Sequence, residues 1–77
     1  MPDIKVTKDC YIPKEQIKMY FAYEPKWIRN LVTRERYLGR VYDLSCGKRI
    51  LSVIALVSGE YVLVSTSLET LYAHMNE

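Results

Sequence analysis

The sequence has few of the residues that characterise secreted, disordered or fibrous proteins. Its 77 residues include only two Cys, three Gly and three Pro, which excludes a disulfide scaffold, a collagen-like repeat and a flexible linker. Hydrophobic residues make up 49%, which is too many for a disordered chain. The length leaves room for a single domain, residues 1–77. A chain of this size buries only about 60% of the surface that its unfolded form exposes.

Long apolar runs are also absent. The longest covers residues 50–57 and is interrupted by Ser52, whereas a membrane-spanning helix needs about 20 apolar residues. The first five residues contain no apolar segment of the kind that a signal peptide requires. Cys10 and Cys46 are far apart and form no C-x-x-C pair. We therefore expect reduced thiols, a cytoplasmic location and no membrane partner.

Residues for catalysis and metal binding are scarce. His74 is the single histidine, and with the two cysteines it gives at most three soft ligands without local pairing, so we expect no metal and no cofactor. A phosphate-binding loop is excluded, because seven residues separate Gly39 from Gly47 and Arg49 follows Lys48. We predict that the protein is not an enzyme and takes no small-molecule substrate.

Positive charge is present but is concentrated in one segment. The net charge is +2, yet residues 26–49 contain seven Lys or Arg and two acidic residues, whereas residues 50–77 contain three acidic residues and no Lys or Arg. All the arginines lie in residues 26–49. Guanidinium groups suit phosphate recognition. This segment is consistent with an anion-binding face, although a solvated helix surface explains the same composition.

The hydrophobic pattern predicts an α+β fold with a small, mainly antiparallel sheet and two helices. Strands are predicted at 4–7, 17–22, 40–44, 49–57 and 60–65, with a loop at 8–15, a turn at 45–48 and a tight hairpin turn at 58–59. A C-terminal helix is predicted over residues 68–75. Thr66 or Ser67 is its expected cap, and Thr66 with Glu69 fits a capping box.

The clearest helix is predicted over residues 25–38 and ends at Gly39. Its predicted buried arc consists of Trp27, Ile28, Leu31, Val32 and Leu38, with the arginines on the opposite face. Glu35 falls inside the apolar arc. Because a buried lone carboxylate is costly, we expect Glu35 to be paired, at a subunit contact, or at the end of the buried stripe.

The strands at 50–57 and 61–64 are apolar on both faces, and such strands are normally covered on both sides. Two short helices are large enough to cover one face of a small sheet but too small to cover both faces. We therefore expect a homo-oligomer in which a second copy packs against the open face or against an edge of the sheet. The alternative is that the short N-terminal strand folds over this face.

The turn at residues 46–49 is the strongest candidate for a binding site. Lys48 and Arg49 are adjacent cations beside Gly47, and the backbone N–H groups of such a turn are able to face an anion. One interpretation is a phosphate-contacting loop that acts together with Arg29, Arg36 or Arg40. The other is an ordinary β-hairpin turn with solubilising charges. Repetition around an oligomer would strengthen weak phosphate contacts.

The segment from Gly39 to Arg49, followed by Ser52-Val53-Ile54, resembles the central signature of the RemA family, in which a Gly-Arg-Arg turn precedes an Ala-Val-Ile strand. The tail from Val62-Leu63 to Leu68-Glu69-Thr70 and the helix at residues 25–32 are also similar, and the match runs without gaps from about Ile12 to Met75. The resemblance implies a small DNA-binding regulator of matrix genes in biofilm formation that forms ring-like homo-oligomers.

The resemblance places the Gly-Arg-Arg turn on Gly47, Lys48 and Arg49. The sequence departs from the family at Gln16, Leu51 and Glu35, where the family has a basic residue, an arginine and an alanine. We therefore predict an oligomer that binds double-stranded DNA mostly through phosphates, with an oligomeric scaffold or protein-interaction module as the alternative. Lys48 and Arg49 are the predicted main contacts. The secondary candidates, chosen by charge, are Lys18, Arg29, Arg36 and Arg40.

Overall fold

The computed structural model describes residues 3–76, which fold into two sheets and two α-helices. The elements, in chain order, are β1 (Asp3–Thr7), β2 (Cys10–Pro13), a 3₁₀ turn (Lys14–Gln16), β3 (Ile17–Ala22), α1 (Lys26–Tyr37), β4 (Val41–Asp43), β5 (Ser52–Leu56), β6 (Tyr61–Val64) and α2 (Leu68–Met75). The predicted α+β class and both predicted helices are therefore confirmed. In this part of the chain, neither helix is long and apolar enough to cross a membrane.

The larger sheet has the strand order β3-β5-β6-β4. β3, β5 and β6 pair antiparallel, whereas β4 pairs parallel with β6. The predicted hairpin turn at Ser58-Gly59 joins β5 to β6, and Gly59 takes a φ of 94° that favours glycine. The sheet is mainly antiparallel, as the pattern predicted.

Two predicted features of the strands are wrong. Residues 10–13 are not a loop, because they form β2 and pair with β1 in an antiparallel hairpin that places Ile4 opposite Ile12. Pro13 is tolerated there because it ends an edge strand. The turn predicted at residues 45–48 is confirmed, but its interpretation as a β-hairpin turn is wrong, because β6 lies between β4 and β5. The turn belongs to the connection from β4 to β5, which passes the end of β6. β5 begins only at Ser52.

One face of the sheet is covered by α1. Ile28 and Val32 of the helix pack on Val53 and Leu63 in a buried cluster. The predicted burial of Trp27 is wrong, because its side chain is 67% exposed and stacks on Phe21 at a ring-centroid distance of 6.4 Å. Leu38 follows the last helical turn and is also exposed, whereas Leu31 is half-buried.

The other face is covered by the β1–β2 hairpin together with α2. Ile4, Val6 and Ile12 of the hairpin join a second buried cluster with the sheet residues Ile54, Val62 and Val64 and with Leu71 of α2. The alternative in which the N-terminal strand folds over the open face is therefore the one observed. Since both faces are covered within one chain, the two-sided strands no longer require a second copy.

α2 begins at a polar cap. The Ser67 hydroxyl accepts a hydrogen bond from the Thr70 backbone N–H at 3.2 Å. The Thr66 hydroxyl instead donates to the Val6 carbonyl oxygen at 2.7 Å, so the capping box predicted for Thr66 and Glu69 is wrong. The Thr66 bond ties the start of α2 to the N-terminal hairpin, which keeps the second face closed.

Candidate nucleic-acid interface

Three predicted DNA contacts lie together at one end of the sheet. Arg29 of α1 and the loop residues Lys48 and Arg49 line a single cleft with a volume of about 430 Å³, which we call the basic cleft. Its remaining lining residues are Ala22, Tyr23, Glu24, Ile50 and Leu51. Two segments that are distant in the sequence therefore present their cations to the same space.

The loop that carries Lys48 and Arg49 is shaped by Asp43 and Ser45. The Asp43 Oδ1 atom accepts hydrogen bonds from the Ser45 backbone N–H at 2.9 Å and from the Ser45 hydroxyl at 2.6 Å. The Lys48 N–H donates to the Ser45 carbonyl oxygen at 3.0 Å and closes the turn. Cys46 and Gly47 between them take left-handed φ values of 54° and 80°. These bonds direct the chain from β4 toward the basic cleft.

The pKa of Asp43 is lowered by this arrangement. The largest cause is the hydrogen bond from the Ser45 hydroxyl, followed by the bond from the Ser45 backbone N–H, and the charge of Arg36 adds to them. Partial burial acts in the opposite direction but is outweighed. The carboxylate is therefore held ionised, which keeps it an acceptor for the turn.

Backbone hydrogen bonds hold the other wall of the basic cleft. The Tyr23 N–H donates to the Leu51 carbonyl oxygen at 3.1 Å, and the Leu51 N–H donates to the Val64 carbonyl oxygen at 2.9 Å. These bonds extend the β3–β5–β6 pairing beyond the strand ends. The β3–α1 connection, which leads to Arg29, is thereby fixed next to the segment that follows Arg49.

The three cations of the basic cleft have no acidic partner among residues 3–76. Each ion pair in this range involves Arg34, Arg36 or Arg40, and no carboxylate oxygen lies within 4.0 Å of the charged groups of Arg29, Lys48 or Arg49. Glu24 is the acidic residue in the cleft lining. The cleft therefore has a positive excess that is available to an anion from solution.

Arg36 and Arg40 are placed differently from the three cleft cations. An Arg36 guanidinium nitrogen lies 3.7 Å from Asp43 Oδ2, and an Arg40 nitrogen lies 3.6 Å from Glu35 Oε1. Arg29 and Arg36 are seven residues apart on α1, so they share a helix face at about 10 Å along the axis. Arg36 therefore extends the basic surface along the helix, whereas Arg40 is directed toward Glu35.

Lys18 is not brought to the basic cleft. It lies on β3 and lines a different, apolar cleft of about 370 Å³, which also contains Met19, Phe21, Trp27, Leu31, Leu56 and Tyr61. We call this second cleft the apolar groove. Of the six cationic candidates, the structure assembles three, places one along the adjoining helix face and separates Arg40 and Lys18 from them.

Tyr23 and Glu24 are cleft residues that the sequence analysis missed. They follow β3 directly, and β3 pairs with β5 so that Ala22 lies opposite Ser52. The segment before β5, which contains Lys48 and Arg49, must then lie beside the segment after β3. The pairing of β3 with β5 was the missing information, because the pattern predicts strands but not their partners.

A family model describes nearly all of the chain. The RemA-like family, described as extracellular matrix regulatory protein A-like, matches residues 4–75. No curated protein matches the sequence. The family description indicates a regulatory role in matrix production. Because the match extends from β1 to the end of α2, it covers the basic cleft and both buried clusters, and the chain belongs to the RemA-like family.

Proposed function

We propose that the protein is an oligomeric DNA-binding transcriptional regulator that contacts backbone phosphates through the basic cleft. The observation that carries this proposal is the convergence of Arg29, Lys48 and Arg49, without an acidic partner in residues 3–76, on one open cleft. Regularly spaced phosphates are the natural partner of such a surface. The family description supports control of matrix genes and hence of biofilm formation.

In this proposal, the cations differ in their contribution. Lys48 and Arg49 are the main contacts, Arg29 completes the cleft, and Arg36 extends the contact along α1. Arg40 and Lys18 contribute less, because Arg40 is paired with the buried Glu35, whereas the Asp43 partner of Arg36 is 45% exposed, and because Lys18 lies at the apolar groove. Phosphate contacts carry no sequence information directly, so any sequence preference would come from DNA shape and bending.

The oligomer is supported by exposed apolar surface at both edges of the larger sheet. At the β3 edge, Trp27 and Met19 of the apolar groove are 67% and 50% exposed. At the β4 edge, Tyr37, Leu38 and Tyr42 are exposed, and the Tyr42 hydroxyl is held by a 2.6 Å hydrogen bond to Glu60. We propose that the β4 edge of one subunit packs against the β3 edge of the next. Contacts between unlike surfaces form a ring when the rotation from one subunit to the next closes.

Assembly would convert a weak site into a strong one. A single basic cleft offers three cations, and each neutralised phosphate adds only a modest salt-dependent contribution. When several clefts lie on one ring, binding of the first raises the effective concentration of DNA at the others. The proposed DNA affinity therefore depends on the proposed subunit contact.

DNA binding is tested by removing the two main cations and measuring fluorescence anisotropy with a labelled DNA duplex. The double substitution Lys48→Ala with Arg49→Ala should abolish binding at low salt and leave the circular dichroism spectrum unchanged. The matched control is Lys5→Ala with Lys8→Ala, which removes the same charge from the exposed N-terminal hairpin, away from the basic cleft and the apolar groove, and should bind like wild type. Wild-type binding should fall steeply between roughly 50 and 200 mM salt.

Two outcomes would contradict this proposal. If the double variant binds DNA as well as wild type does, the basic cleft is not the interface. If wild-type protein fails to bind duplex DNA at low salt, the scaffold or protein-interaction module becomes the better account, since the exposed apolar groove would still offer a protein-binding surface.

The subunit contact is tested by measuring mass in solution with light scattering after gel filtration. Trp27→Glu places a charge in the apolar groove and should dissociate the oligomer into single chains. Tyr11→Glu is the matched control, because Tyr11 is also an exposed aromatic residue, at 58%, but lies on β2. A wild-type protein that runs as a monomer at micromolar concentration would refute the assembly.

A further inference from the structure

The two cysteines of the chain line the same cleft, although 35 residues separate them in the sequence. Cys10 ends the turn of the β1–β2 hairpin, and Cys46 lies in the loop between β4 and β5. The cleft has a volume of about 390 Å³, and we call it the thiol cleft. Its other lining residues are Thr7, Lys8, Asp9, Leu44, Ser45, Lys48, Ser65 and Thr66.

Both thiols are free, and the cleft makes them accessible to a small reagent. Cys46 is exposed and Cys10 is half-buried. Each therefore borders the same solvent-filled space, from two segments that no strand pairing joins. Cysteines that undergo reversible oxidation are solvent-accessible and are often accompanied by a second thiol that resolves the oxidised sulfur, and Cys46 is exposed and shares the thiol cleft with Cys10.

The loop around Cys46 is not held by packing at Gly47. A side chain added at the neighbouring Gly47 would meet no atom within 4 Å, so the loop has open space around it. Cys46 itself takes a left-handed φ of 54°, which is unfavourable for a residue other than glycine. The turn is closed by the local bond from the Lys48 N–H to the Ser45 carbonyl oxygen, which would move with it.

We propose that Cys10 and Cys46 form a reversible intramolecular disulfide when the protein meets a peroxide. The exposed Cys46 sulfur attacks one peroxide oxygen, so an S–O bond forms, the O–O bond breaks and one water leaves. The Cys10 sulfur then attacks the sulfenic sulfur, so the S–S bond forms, the S–O bond breaks and a second water leaves. Two thiols lose two electrons, and hydrogen peroxide is reduced to two waters.

The disulfide would act on the basic cleft through Lys48. This residue lines both clefts, so the loop that carries it separates the thiol cleft from the basic cleft. A disulfide needs Cα atoms no more than about 7 Å apart, so its formation would fix the loop against the hairpin and with it the position of Lys48 relative to Arg29. This regulatory consequence rests on the proposed DNA binding, whereas the disulfide does not.

The disulfide is tested on the full chain by mass spectrometry. The protein is treated with hydrogen peroxide, free thiols are blocked with N-ethylmaleimide, and the digest is analysed without reduction. The expected result is a peptide pair joined through Cys10 and Cys46, from a species that runs as one chain on a non-reducing gel. The controls Cys10→Ser and Cys46→Ser should lose this pair, and dithiothreitol should reverse it in wild type.

Other products would overturn the disulfide. These are two blocked thiols after peroxide treatment, a disulfide between two chains, and conversion of Cys46 to a sulfinic acid.

The regulatory step is tested separately, by DNA anisotropy before and after oxidation. The expected loss of DNA affinity is about tenfold, and dithiothreitol should reverse it. An intact disulfide with unchanged affinity would overturn the regulation alone. Failure of the reduced protein to bind DNA would overturn the proposed function and leave the disulfide result standing.

Discussion

At the scale of single residues, Asp43 is the side chain that connects the sheet to the loop that carries Lys48 and Arg49. It ends β4, accepts two hydrogen bonds from Ser45 and lies 3.7 Å from Arg36. The same contacts that lower the pKa of Asp43 also shape the loop before Lys48. Loop geometry and the ionisation of Asp43 are therefore linked.

Ser45→Ala should raise the pKa of Asp43 toward its ordinary value of 3.8, because it removes the largest cause of the lowering. A carboxyl with a lowered folded-state pKa stabilises the fold above its unfolded pKa, and this stabilisation is lost as the pH falls through the folded pKa. The variant should therefore have a lower free energy of unfolding than wild type at neutral pH. This difference between the two proteins should become smaller as the pH falls below 3.8. NMR titration and urea unfolding measure the two effects. An unchanged Asp43 titration would contradict this role.

Glu35 is the residue that interrupts the apolar arc of α1, and it is 7% exposed. Its expected pairing is confirmed, because Arg34 and Arg40 contact it at 3.7 and 3.6 Å. The sequence predicted the need for a partner from the cost of burying a carboxylate. It did not identify the partner, because Arg40 reaches back across Gly39 after the helix has ended.

Arg40→Ala should destabilise the protein by about 1–2 kcal/mol, because it leaves a buried carboxylate with one partner. Arg36→Ala is the control and should cost less, roughly 0–1 kcal/mol, because the Asp43 side chain in that pair is 45% exposed. Urea unfolding followed by circular dichroism compares the two. Equal losses of unfolding free energy in the two variants would show that the burial of Glu35 does not make its ion pair with Arg40 stronger than the exposed pair of Arg36 with Asp43.

At the scale of elements, the β1–β2 hairpin determines whether the chain closes its own core. The sequence predicted β1 but assigned residues 10–13 to a loop, because a segment of four residues that ends in proline is a weak strand signal. The hydrophobic pattern also does not predict which strands pair with each other. Adjacency in the sequence favours a hairpin between β4 and β5, but in the structure β6 lies between these two strands, and β4 pairs parallel with β6.

Ile4→Ala should destabilise the protein by about 2–5 kcal/mol, because it leaves a cavity under the hairpin. Ile4 is buried against the cluster that contains Ile54 and Leu71. Val57→Ala is the control, since Val57 is 57% exposed beyond β5, and it should change stability by no more than about 0.5 kcal/mol. Thermal unfolding measures both. A small effect of Ile4→Ala would mean that the hairpin does not seal this face.

At the scale of the whole molecule, the basic cleft is a product of the fold and of no single motif. Charge and the family resemblance selected Lys48 and Arg49 from the sequence, and charge alone added Arg29. The convergence of these residues depends on the β3–β5 pairing and on the path of the chain after β4. The same dependence explains why Lys18, equally basic in the sequence, lies at the apolar groove.

The most direct test of the account compares two single arginine substitutions by the salt dependence of DNA binding. Each phosphate contact that is lost should reduce the slope of log affinity against log salt by roughly 1 for each engaged subunit. Arg29→Ala removes a cleft cation and should lower the slope, as Lys48→Ala should. Arg40→Ala removes an equal charge outside the cleft and should leave the slope close to that of wild type. Equal slopes for Arg29→Ala and Arg40→Ala would show that DNA binding follows overall charge, and would contradict the basic cleft as the interface.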